Sequence, residues 1–303
     1  MNTQNPVALL FLIVVTLSGC AFPPGKVLVL SPVIVPDQAE FKGVIDIGGR
    51  GMYLECHGSG EPTIVFDAGL QAGGWKLTKF GAQLADSTRI CFYDRPNVAD
   101  GKSDPVTGIR TSADIAADLE TLLAVAGIRP PWLLIGHGFG GMNMTVFAAA
   151  HAEDVAGLIL MDPLPPDTLE AWMTQPAGRA GSPPNRYVLP SGGEPARSRE
   201  SIDLAASSAQ LRQIRTLGAI PVTLFAARRP LAGLLTLQND VAADRLERAW
   251  KENRAWYAQL APAMRVIEVD DSGSLDLNDS ELAIRDAARD LISRYRAPGG
   301  PLM

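Results

Sequence analysis

A single large α/β domain is predicted here, built on a mostly parallel eight-stranded sheet with helices on both faces. Three observations predict it. Eight short apolar runs, from Val44–Ile47 to Arg265–Val269, are interleaved with segments of helical periodicity. A glycine-rich turn, Gly136-His137-Gly138-Phe139-Gly140-Gly141, joins one such strand to a helix. The chain of 303 residues, 47% of them hydrophobic, is long enough to bury one large core.

In chain order, Val44–Ile47 and Met52–Cys56 flank Gly48-Gly49-Arg50-Gly51, the pattern of a β-hairpin with a glycine turn. Thr63–Phe66 is a strand that runs into the loop Asp67-Ala68-Gly69-Leu70, and Arg89–Tyr93 is a strand ending at Asp94-Arg95-Pro96. Ser112–Val125 carries Ile115, Leu119, Leu122 and Leu123 on one helical face, with Ser112 as the expected N-cap. Trp132–Ile135 reads as a strand, Met142–Ala150 as a helix and Gly157–Met161 as a strand closing at Asp162. Proline, glycine and serine then interrupt the pattern, so residues 163–217 are expected to form an insertion that caps the C-terminal edge of the sheet. The core resumes with a strand at Pro221–Ala226, a helix over Val241–Leu260, a strand at Arg265–Val269 and a last helix at Asp279–Tyr295. The expected core is therefore 41–162 and 218–296, with a short tail at 297–303.

The first residues suggest a destination. Val7–Leu17 is an apolar run shorter than the ~20 residues needed to span a bilayer. Small residues follow it, as at a signal-peptide cleavage point. Leu17-Ser18-Gly19-Cys20 resembles the lipobox of bacterial lipoproteins, which implies lipidation of Cys20 after cleavage of residues 1–20. No Lys or Arg precedes the run, which leaves an uncleaved hydrophobic anchor as the alternative. Ala21–Glu40 then reads as a tether. The expectation is an exported protein at the periplasmic or extracellular face, held to the membrane by its N-terminal lipid. In an oxidising compartment the remaining Cys56 and Cys91 are a candidate disulfide, two buried thiols being the alternative. A net charge of -6 without a Lys/Arg-rich block excludes a nucleic-acid partner.

The turn at Gly136–Gly141 carries the chemistry. A nucleophile elbow reads G-x-S-x-G on a strand–turn–helix, with small flanking residues because a Cβ there would strike the neighbouring strand and helix. Here the flanking glycines stand and the apex, Gly138, has no side chain. Together with Tyr53–Cys56, Tyr93–Pro96, Ser103–Pro105, Val155–Asp162, Ile202–Leu211 and Asp271–Gly273, this turn resembles a bacterial α/β-hydrolase family of secreted or actinobacterial type, over about Gly48 to Tyr295. The resemblance implies that the strands of Cys56 and Cys91 are neighbours. It also implies an oxyanion hole from the backbone N–H groups of Leu70 and Phe139, which is independent of side chains.

The family's histidine would stand in a Ser-Gly-His context after the last strand; this chain has Ser272-Gly273-Ser274, leaving Ser274 at the vacant histidine position. Its three histidines, His57, His137 and His151, occupy other contexts and read as structural or surface residues. Asp162 is the candidate acid, with a turn role before Pro163 as the alternative. Loss of one member of a serine triad costs on the order of 10⁶ in turnover. The expectation is thus a protein that binds a small ester-, acid- or lipid-like ligand in a capped pocket without serine catalysis, cofactor or metal. An active hydrolase with a substitute mechanism is the alternative. A lesser one is nucleotide binding, since Gly136, Gly138 and Gly141 also satisfy G-x-G-x-x-G and precede Asp162 by about 20 residues.

Overall fold

The structure, a computed structural model, describes residues 39–70, 72–74, 81–98, 101–164, 166, 200–227, 251–252, 254–269 and 277–299. The elements are β1 Glu40–Asp46, β2 Gly51–His57, β3 Thr63–Asp67, β4 Ile90–Tyr93, α1 Ser112–Ala126, β5 Trp132–His137, α2 Phe139–Ala150, β6 Val155–Met161, α3 Leu204–Gln213, β7 Val222–Ala227, β8 Arg265–Val269 and α4 Leu277–Arg296. The strands form one eight-stranded sheet in the order β1-β2-β4-β3-β5-β6-β7-β8. β2 is antiparallel to both β1 and β4, and every pairing beyond β4 is parallel.

The central strands are buried on both faces, which is why they read as unbroken apolar runs. Side chains of β5 alternate between two cores. Leu133 and Ile135 pack with Ile64, Phe66 and Ile159 beneath Ile284, Ala288 and Leu291 of α4. Leu134 packs with Val65, Leu158 and Leu160 against Leu119 and Leu122 of α1 and Met142 and Phe147 of α2. Each such buried aliphatic contributes about 1.5–3 kcal/mol relative to exposure.

The hairpin turn is built by Asp46, whose Oδ1 accepts the N–H of Gly48 at 2.9 Å and of Gly49 at 2.6 Å. Both glycines have positive φ, 112° and 97°, a region that side chains disfavour. The hairpin strands are longer than expected, and Glu40 is paired with His57 as the first residue of β1 rather than the last of a tether. The N-cap of α1 is Thr111, not Ser112. Thr111 and Asp114 form a reciprocal capping box, and Ser112, the first helical residue, turns its hydroxyl inward to Asn143 Oδ1 at 2.7 Å. Helix α2 begins at Phe139, three residues before the expected Met142, because the turn at Gly138 leads directly into the first helical N–H groups.

The leader, Cys20, most of the tether, residues 167–199 of the expected cap and Ser274 lie outside the described residues. Residues 200–227 are described, whereas residues 241–250 of the expected helix over Val241–Leu260 lie outside the described residues; α3 contributes Leu204 and Leu211 to the same core as α1 and α2.

Candidate functional site

The sharp turn between β5 and α2 lies at the C-terminal edge of the sheet, between the ends of β3 and β6. Ligand sites of open α/β sheets form at this edge. Gly138 has φ 54° and ψ −115°, and its N–H donates to Met161 O at 2.9 Å. Its carbonyl accepts from Gly141 N at 3.1 Å and Leu164 N at 2.8 Å. The flanking glycines are forced by close approach. A Cβ on Gly136 would lie 2.5 Å from Gly140 O, and one on Gly140 would lie 2.5 Å from Ala68 O. At Gly138 the outcome is opposite: among the described residues the nearest atom to a Cβ would be Gly69 Cα at 3.8 Å, an ordinary van der Waals contact.

Asp162 follows β6, next to this turn. It is 8% exposed, and its φ of 45° is rare for a residue with a side chain. Its N–H donates to Phe225 O at 2.9 Å and its Oδ1 accepts from Ala227 N at 3.2 Å. Burial raises its pKa to about 7, opposed by the Ala227 N–H and the charge of Arg254. A carboxyl half-protonated near neutrality is a poor permanent anion for orienting a histidine, but a competent proton carrier. Beyond it, Leu164 is held by Tyr257, whose hydroxyl donates to Leu164 O at 2.9 Å.

Leu70 sits in the loop after β3, half-buried against the core. The preceding carbonyls of Ala68 and Gly69 accept from Arg95 at 2.7 Å each. Arg95 also pairs with Asp67 and Glu200, and Asp67 Oδ2 accepts from Asn143 of α2 at 3.0 Å. Phe139 is fully buried as the first residue of α2, where N–H groups lack partners within the helix. Leu70 follows Gly69, whose Cα lies 3.8 Å from where a Cβ on Gly138 would be, and Phe139 directly follows Gly138. Sequence reading passed over Arg95, Asp67, Asn143 and Glu200. Its only trace was Asp67 and Arg95 both falling at strand ends, and Glu200 is 105 residues from its partner.

The histidines are separate. His57 bonds Glu40 through Nδ1 at 2.5 Å and Glu55 through Nε2 at 3.2 Å, on the hairpin. His151 ends α2 with its ring 4.4 Å from that of Phe147. His137 is the last residue of β5 and precedes the apex Gly138. Its Nδ1 lies 3.2 Å from where a Cβ on Gly69 would be, so the imidazole rests on the Leu70 loop. Cys56 and Cys91 face each other across β2 and β4 and form a disulfide. Among the described residues no group of three or more potential ligands could hold a metal. A cavity of ≈ 580 Å³ lined by Ser59, Thr63, Arg89 and Arg129 lies at the opposite, N-terminal edge of the sheet.

The apex geometry carries a stability prediction. Gly138→Ser and Gly138→Ala should each lower the free energy of unfolding by about 1–3 kcal/mol with the fold intact, the cost of a side chain at this φ, ψ. Space is not limiting, so the two variants should agree. Chemical denaturation with the disulfide kept oxidised measures it; unchanged or increased stability in both would show that this backbone is not strained.

Comparison with known proteins agrees with this architecture. Residues 56–300 match the family described as "Alpha/beta hydrolase family". The chain is 31% identical over 127 residues to a protein named probable transporter efuK of Hormonema carpetanum, covering 40% of this chain and 18% of that one. It is 33% identical over 106 residues to the uncharacterized protein YqjL of Bacillus subtilis, covering 35% of this chain and 41% of that one. The chain therefore spans less than half the length of these curated relatives. Among solved structures, a probable hydrolytic enzyme from Pseudomonas aeruginosa PAO1 superposes with a TM-score of 0.60 at 16% identity, over 86% of this chain and 99% of that one. With the sheet order, the glycine elbow and the family match in agreement, this chain belongs to the alpha/beta hydrolase family.

Proposed function

We propose that this protein binds a small ester-, acid- or lipid-like ligand at the elbow and does not turn it over by serine catalysis. The observation that carries this reading is the apex. A serine hydrolase forms its covalent intermediate through an oxygen at this position, and here Gly138 offers none, while among the described residues a Cβ there would meet only Gly69 Cα, at 3.8 Å. The candidate histidine position holds Ser274. The backbone donors of Leu70 and Phe139 are an anion-stabilising pair that survives the loss of both side chains. We further propose that the protein is an exported lipoprotein of the secreted bacterial type, anchored through Cys20, with the cap over residues 163–217 enclosing the ligand. The Cys56–Cys91 disulfide is compatible with export.

A second reading draws on Asp162. A carboxylate with a pKa of about 7 beside the elbow is suited to take a proton from water as the water oxygen bonds to an ester carbonyl carbon. The departing alkoxide then recovers that proton.

One set of measurements separates the two. A fluorophosphonate probe should leave the purified protein unlabelled, and p-nitrophenyl butyrate should not be hydrolysed above the buffer rate, while calorimetric titration with octanoate should show saturable binding. Stoichiometric labelling would overturn the loss of the nucleophile. Turnover abolished by Asp162→Asn would establish the second reading, and absence of octanoate binding would remove the acid-ligand reading.

A further inference from the structure

Arg95 follows β4 and lies within the sheet's C-terminal edge, its side chain 2% exposed. A guanidinium has five N–H donors in a rigid planar fork. Every one of them is used. Nη1 donates to Asp67 Oδ1 and to Ala68 O at 2.7 Å; Nη2 donates to Gly69 O at 2.7 Å and Glu200 Oε2 at 3.1 Å; Nε donates to Glu200 Oε1 at 2.6 Å. The centre of the same guanidinium stands 5.4 Å from the ring centroid of Phe139, within cation–π range. One side chain therefore grips the carbonyls immediately before Leu70 and rests on the ring of Phe139.

Its partners come from distant parts of the chain. Asp67 ends β3, and its second oxygen ties α2 through Asn143. Glu200 stands where the chain returns from residues 167–199 and is 4% exposed. The chain after it is docked beside α1: Arg110 N donates to Ser201 O at 2.8 Å, Asp203 N to Arg110 O at 2.8 Å, and Ser112 N to Ser207 Oγ at 3.0 Å. Two carboxylates grip one guanidinium, a buried ion-pair cluster that core stability does not require. Replacing buried ion pairs by apolar groups is often neutral or stabilising. The arrangement makes sense as a geometric device.

We propose that Arg95 is the positioning residue of the candidate site, fixing the Leu70 loop relative to Phe139. Glu200 makes that spacing depend on the docking of the segment that returns to the core at residues 200–203. This rests on reading the elbow as a ligand site. Lysine at position 95 keeps the charge and loses the fork; glutamine at 200 keeps the shape and puts an N–H₂ where Arg95 needs an acceptor.

The test is backbone ¹⁵N relaxation on the full chain for wild type, Glu200→Gln and Arg95→Lys, with Ile159→Val as a control for general loss of core stability. In the wild type the N–H order parameters of Gly69 and Leu70 should be about 0.85, the value of rigid backbone. In the two clamp variants they should fall below about 0.6 while Leu134 in β5 stays rigid, and the control should leave all of them unchanged. A mobile Leu70 loop in the wild type overturns the proposal without any variant. Rigid Gly69 and Leu70 in both variants, or a fall shared with the control, overturns it as well. Should octanoate fail to bind while these order parameters behave as stated, the ligand reading fails and the clamp stands.

Discussion

Replacing Cys56 and Cys91 together by alanine should lower the free energy of unfolding by roughly 3–4 kcal/mol, the loop-closure value for a bridge of this span. The two residues are 35 apart in sequence and directly opposed in the antiparallel pairing of β2 and β4. The bridge therefore ties the hairpin, joined to the rest of the sheet through β4, to the parallel part. Both cysteines are buried, at 1% and 0% exposure, so removing the sulfurs adds a small packing loss in the same direction. Equilibrium denaturation of wild type and the double variant gives the difference. A loss below about 1 kcal/mol would mean that the unfolded chain is already held compact across this segment.

The second large effect is a pH dependence that originates at Asp162. Its folded pKa is raised to about 7 by burial, against an unfolded value near 3.8. Between these two values the folded state holds a proton that the unfolded chain has released, so stability must fall as pH rises. The contribution is fully present below about pH 4 and lost as pH passes through about 7. At 1.36 kcal/mol per unit its full size is on the order of 4 kcal/mol. Asp162→Asn keeps an acceptor for the Ala227 N–H and removes the titration. The variant should therefore equal the wild type in acid and exceed it above pH 7, by an amount that grows through the window. Parallel slopes for the two proteins between pH 4 and 8 would place the Asp162 carboxylate in contact with water.

The same residue shows where reading the sequence ended. Its position at the end of β6 was legible from Gly157–Met161 and the following proline, but its chemical character was not. That character depends on the depth of burial and on Ala227, 65 residues away, turning its N–H toward the carboxylate. Arg95 makes the point more strongly. In the sequence, Asp94-Arg95-Pro96 marks a strand end and Tyr93–Pro96 a family resemblance. Nothing local says that five donors of one side chain converge on residues 67–69 and 200. The N-cap of α1 was missed by one residue for a local reason. Thr111 and Ser112 are both capping residues, and only the placement of Asp114 three positions after Thr111 separates them.

What the sequence determined by itself is the architecture and the vacancy at the elbow. Strands buried on both faces must be continuous apolar runs, and helices between them must be amphipathic, so the eight strands and the helices α1, α2 and α4 are written in local patterns, whereas α3 lies in the stretch that reads as an insertion. Glycines at 136 and 140 declare a close approach because no other residue fits, and Gly138 declares a missing side chain by its identity alone. Tertiary structure decided the rest: that Cys56 and Cys91 meet and form the disulfide, the raised pKa of Asp162 and the clamp around Arg95. Each of these is a relation between residues 26 to 105 positions apart. Charge, burial and hydrogen bonding at such sites are set by which surfaces the folded chain brings together, and no local pattern encodes that distance.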